Sequence, residues 1–188
     1  MTSVGHALTG AAIGVSVIPK GGSSIHKIVH LVVFILLANL PDLPMLNWGH
    51  EKYFYSHSLF VNGLFIALGS LLLTLSKKVF TKIGARLVLI AGAGAWLSHL
   101  LLDSFYNQGL GVMIYWPFST AHLALPIPWL AALPGVPPPL TAAMVPIFVL
   151  EFLTFSPLLL LALLIRMFDI DLHVKRLASS LLRTRKPG

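Results

Sequence analysis

An all-α, polytopic transmembrane bundle of about five segments is predicted by three features of the sequence. Apolar residues make up 56% of the chain and charged residues only 10%, against roughly 45–50% and 25% in soluble domains. Residues 53–76 contain no Asp, Glu, Lys or Arg, and a helix needs about 20 such residues to cross a bilayer. The basic residues flank apolar segments rather than forming a stripe, so the formal net charge of +7 reads as a topology signal, and no nucleic-acid partner is expected. At 188 residues the chain fits a single membrane domain.

The apolar segments are expected at residues 4–18, 28–40, 58–76, 83–102 and 144–166. MTSVGHALTG has no positive n-region, so the first segment is expected to be retained in place. The first two segments are short, each covering roughly 20 Å of a hydrocarbon core of about 30 Å, and must extend into their flanks, thin the bilayer or form a partial hairpin. GAAIG at Gly10–Gly14 and AGAGA at Ala91–Ala95 supply small residues that let helices approach closely. A second charge-free run covers residues 104–150 but is broken by Pro and Gly, so it is not one helix.

If all five segments cross, twelve of the thirteen Lys and Arg residues fall on one side, in the turn with Lys20 and Lys27, the loop with Lys77, Lys78, Lys82 and Arg86, and the tail from Arg166. Only Lys52 lies opposite. Lys and Arg favour the cytoplasmic side, which puts the N-terminus outside and the C-terminus in the cytoplasm. Trp48, Tyr53, Tyr55, Tyr106, Tyr115, Trp116 and Trp129 then fall in the two outer connections, a one-sided aromatic belt. Residues 120–143 hold the six-proline stretch 121–140 and are expected to lie along the outer surface as a lid. The core is thus 4–119, the last crossing 144–166, and 167–188 a basic cytoplasmic tail.

Ionisable groups at membrane depth cost about 2.5–3.5 kcal/mol each at a helix centre on insertion scales. Six positions qualify: His6, Asp42 in NLPDLP, His50 and His57 in HEKYFYSHSL, and His99 and Asp103 in HLLLD. All six map to outer segment ends. His99 and Asp103 are spaced i, i+4 and share a helix face, a pair that can grip a metal or satisfy itself by an intrahelical hydrogen bond. His57 can equally cap its helix beside Ser56 and Ser58, Asp42 can serve as a turn residue, and His50 beside Glu51 and Lys52 can be solvated. His26, His30 and His173 lie on the basic side and take no site role; His122 faces the outer side. With no cysteine in the chain, disulfides and thiolate ligands are excluded. Imidazole and carboxylate suit zinc first, then manganese or iron, as in hydrolytic centres where a metal acidifies its water.

Read in order, an early His, NLPD, SHSL, HLLLD and GVMIYWPFS resemble the YdjM-like family of inner-membrane proteins, which are predicted metal-dependent hydrolases. The resemblance runs through residues 6–119. It implies a helical membrane protein with a divalent-metal site, and by position it implies His6, Asp42, His57, His99 and Asp103 as ligands. The H-x-x-x-D element is also similar to one in zinc-dependent phospholipase C and related zinc nucleases, which implies phosphoester hydrolysis. Family members often carry a second acid two residues after the Asp of LPD, where this chain has Pro44; the departure bears on whether one ion or two is held. Many also carry a His-Arg pair five residues before the later His, where Lys52 stands, leaving His50 either a shifted substitute or uninvolved.

The leading expectation is a membrane-bound, metal-dependent hydrolase acting on a phosphoester, in a phospholipid or elsewhere, with its site facing the extracytoplasmic side. Glu51, Asp42 or Asp103 would serve as general base, Lys52 would attract the phosphate, and His50 and His122 are possible additions. Membrane lipid is the expected partner. A metal or proton transporter would use the same His/Asp cluster as an ion path, and a noncatalytic scaffold would lay the tail LHVKRLASSLLRTRK on anionic lipid.

Overall fold

Thr2 and Ser23 sit in extended backbone, and their hydroxyls accept the N–H of Val4 and of His26. Such caps satisfy donors that a helix start leaves open. They launch α1 (Ser3–Val17) and α2 (Ser24–Asn39). A computed structural model describes residues 2–19, 23–43, 53–75, 83–105, 111–124 and 141–168. After α2 a 3₁₀ turn carries Leu40–Asp42. The short α3 (Tyr53–Ser56) then leads into α4 (Leu59–Leu75), and α5 (Ile83–Ser104) and α6 (Val145–Met167) complete the bundle. No strand occurs among the described residues, where the extended elements are limited to an isolated antiparallel bridge between Val112 and Leu123.

Three stretches, Ser24–Asp42, Ala85–Ser104 and Ala142–Met167, are long and apolar enough to cross a membrane, while α1 and α4 are shorter apolar helices. The second segment starts four residues earlier than its apolar run, because the Ser23 cap recruits Ile25, His26 and Lys27 into the first turn. Chemically, the outward surface is lipid-like: Leu71, Leu72, Leu160 and Leu161 are more than half exposed, as expected of side chains that face acyl chains.

At the centre stands α1, against α2, α5 and α6. A Cβ on Gly10 would lie 2.6 Å from the Phe34 carbonyl oxygen and 2.7 Å from Ala38 Cβ, and one on Gly14 would lie 3.0 Å from Phe34 Cβ. GAAIG is therefore the seam along which α1 and α2 touch. AGAGA is looser, since a Cβ on Gly92 meets only Leu37 at 3.4 Å and one on Gly94 meets nothing within 4 Å.

Contacts at both ends fix the direction of α6 relative to α1. Glu151 accepts from Thr2 and Gly5 at the head of α1, and Arg166 donates to the Ile18 carbonyl at its foot, so the two helices run parallel. The Lys and Arg residues among the described ones, Lys27, Arg86 and Arg166, sit at the helix ends remote from Glu151. Lys20, Lys77, Lys78, Lys82, the prolines of 125–140 and the basic tail from 169 lie outside the described residues, as do Trp48, Tyr106 and Trp129.

Candidate metal centre

The C-terminal ends of α2 and α5 and the N-terminal ends of α1 and α4 meet at the end of the bundle that carries Glu151. There, one ligand atom from each of Asp42, His57, His99 and Asp103 lies within 4.8 Å of the others. His57 Nε2 is 3.0 Å from Asp103 Oδ2 and 3.4 Å from Asp42 Oδ1. His99 Nε2 is 3.4 Å and 3.5 Å from the same two oxygens, and the two imidazole Nε2 atoms face each other at 3.1 Å. The i, i+4 pair thus turns inward together.

Each imidazole is aimed by its other nitrogen. His99 Nδ1 lies 2.8 Å from the Ala38 carbonyl, which can only accept, so Nδ1 carries a proton and Nε2 is the nitrogen turned toward the cluster. Ser56 Oγ lies 2.8 Å from His57 Nδ1. Metal-bound histidines are held this way, by a carbonyl or hydroxyl on the nitrogen away from the ion. The carboxylates are Asp103, whose side chain is 2% exposed, and Asp42, 22% exposed. The Lys and Arg residues among the described ones stand at the far helix ends. Two carboxylates and two inward-facing imidazoles within reach of one point can share a cation, and the oxygen and nitrogen donors fit a divalent one. The group can therefore hold a metal ion.

His6, expected among the ligands, packs beside this group. Its Nε2 meets Asp103 Oδ1 at 3.1 Å, its ring stacks on His99 with centroids 3.7 Å apart, and its buried Nδ1 has no hydrogen-bond partner among the described residues. His122 is exposed and apart from the converging four. His50, Glu51, Lys52 and Pro44 lie outside the described residues.

Supporting polar residues escaped the sequence reading. Glu151 is buried on α6 and accepts from Thr2 N at 2.8 Å, Gly5 N at 3.1 Å and the Thr2 hydroxyl. That carboxylate caps α1 from a neighbouring helix and fixes the register of His6, one residue on. Asn62, also buried, donates to the carbonyls of Ser56 at 2.8 Å and Ser58 at 2.7 Å and accepts from Trp96 Nε1 at 2.6 Å. It ties the turn carrying His57 to α5. The signal for both was present: a lone carboxylate and a lone amide inside apolar segments.

The segment after α5 closes one flank. Val112 and Leu123 exchange backbone bonds of 3.0 and 2.8 Å, and Gly111 adopts φ 69° where a Cβ would strike the Leu123 carbonyl at 2.7 Å. Ile114 accepts from Leu59 N at 2.9 Å, and the Trp116 carbonyl accepts from the Ser58 hydroxyl. Tyr55 and Trp116 meet edge-on at 4.5 Å, so part of the expected aromatic belt gathers beside the cluster.

No curated protein and no solved structure matches the chain. A family model described as YdjM inner membrane protein matches residues 1–171. The chain belongs to that family of membrane proteins.

Proposed function

We propose that the protein is a membrane-bound hydrolase that holds one divalent metal ion, zinc first, between Asp42, His57, His99 and Asp103 and cleaves a phosphoester. The observation that carries this reading is the convergence of four donors whose imidazoles are already turned inward by Ala38 and Ser56. Bound there, an ion would supply Lewis acidity and an acidified water. The chain's own part is orientation and proton handling. His6 steadies Asp103 from one side, and Asp42, the more exposed carboxylate, is placed to accept a proton at the opening. Glu51 remains a second candidate for that role.

The same reading places the centre on the extracytoplasmic face, supported by the described basic residues at the opposite helix ends. The test is metal analysis of the purified protein beside the double variant His99→Ala, Asp103→Ala, with hydrolysis of phosphodiester substrates measured on both. About one equivalent of metal and turnover in the wild type, both lost in the variant, is the expected result. Negligible metal in both proteins would remove the hydrolase reading.

A further inference from the structure

The helices α2, α4 and α5, whose ends lie beside the metal donors, also leave an apolar crevice between them. It is lined by Val33 and Leu37 of α2, Phe65 and Leu73 of α4, and Leu89 and Trp96 of α5, among others, with a volume of about 330 Å³. That is the size of a small-molecule pocket. The crevice exists because α4 leans on α5 but makes little contact with α2. Space is open at Gly69, where a Cβ would meet nothing within 4 Å. Val33, Phe65 and Leu73 on its walls are each more than 40% exposed.

Its dimensions name its occupant. From Phe65 to Leu73, or from Leu89 to Trp96, the walls run roughly 10–12 Å along the helix axes at 1.5 Å per residue. One leaflet of a hydrocarbon core of about 30 Å is about 15 Å deep. The upper end, at Leu37 and Trp96, lies roughly 5–8 Å along the helices from Asp42 and His99 by the same rise per residue, about the span of a lipid's polar linkage. We infer that this crevice binds one acyl chain of a membrane phospholipid whose phosphoester is presented to the metal centre, so the substrate is a lipid rather than a soluble phosphate ester. Occupancy of the crevice stands by itself; its place in turnover rests on the hydrolase reading.

Two arms test the inference on the full chain in lipid nanodiscs. Phosphatidylglycerol with a diazirine near the end of one acyl chain is photolysed and the labelled residues are mapped. Label concentrated on Leu73, Val88 and Leu89, and lowered at least five-fold in Gly69→Leu or, from the facing wall, in Ala93→Leu, is the expected result. Label spread equally over the exposed leucines of α6 and unchanged in both variants overturns it. In the second arm, both variants should lose at least five-fold turnover of long-chain phosphatidylglycerol while keeping turnover of water-soluble bis(p-nitrophenyl) phosphate. Equal loss on both substrates, or on neither, overturns the crevice's role in turnover. No turnover of either substrate by the wild type defeats the hydrolase reading, and the labelling still decides the crevice.

Discussion

The Ala38 carbonyl and the Ser56 hydroxyl reach the cluster only through the imidazoles they hold, yet they decide which way those rings can bind. Ser56→Ala leaves His57 Nδ1 without the hydroxyl now 2.8 Å away. It should weaken zinc binding by about 10- to 100-fold, the usual effect of losing such a support, as read by competition with a chromophoric chelator. Glu151→Ala strands the Thr2 and Gly5 amides it now accepts from. The cost is about 1–3 kcal/mol per orphaned buried donor, so the melting temperature in detergent should fall by several degrees, with Glu151→Gln recovering part of the loss through its remaining carbonyl oxygen. The histidines and aspartates of the cluster were readable from sequence because ionisable groups at the ends of apolar segments are costly there. Glu151 was passed over although the same cost applies: it fell inside the expected segment 144–166, and only the structure shows it as the counterpart of the α1 amides. Asn62 was harder, since neutral polar residues are common in membrane helices and only the fold shows which carbonyls it faces.

Helix seams transmit directly to the centre. Gly10 touches both Phe34 and Ala38, and Ala38 is the residue whose carbonyl aims His99. Gly10→Val must push α1 and α2 apart, at about 1–3 kcal/mol for overpacking, and should lower metal occupancy as well as stability. Gly94→Ala, where nothing lies within 4 Å, should leave both unchanged; the pair of melting curves and metal contents checks this. Periodicity and length placed all five long helices to within a few residues, since apolar runs of this length have one conformation that satisfies their backbone in lipid. The exception was the start of α2, set by a serine cap that hydropathy does not register. The bridged loop 111–124 was not foreseen, because its bridge depends on Gly111 at positive φ and on a partner eleven residues away.

For the molecule as a whole, polarity is divided end to end: the His/Asp group at one end and Lys27, Arg86 and Arg166 at the other. The chain has no cysteine, so single replacements report topology cleanly. Thr120→Cys should react with a membrane-impermeant maleimide in intact cells and Ser24→Cys only after lysis; the reverse pattern would turn the proposed orientation over. Composition made the helical membrane architecture legible, being a property of the chain's exchange with lipid and not of any one contact. The clasp of α6 on α1, at Glu151 above and Arg166 below, also bears on biogenesis. The register of α1 is held by a residue 149 positions further along the chain, made long after it. A nascent chain ending before residue 145 would therefore hold Asp42, His57, His99 and Asp103 but lack the carboxylate that caps α1 beside His6.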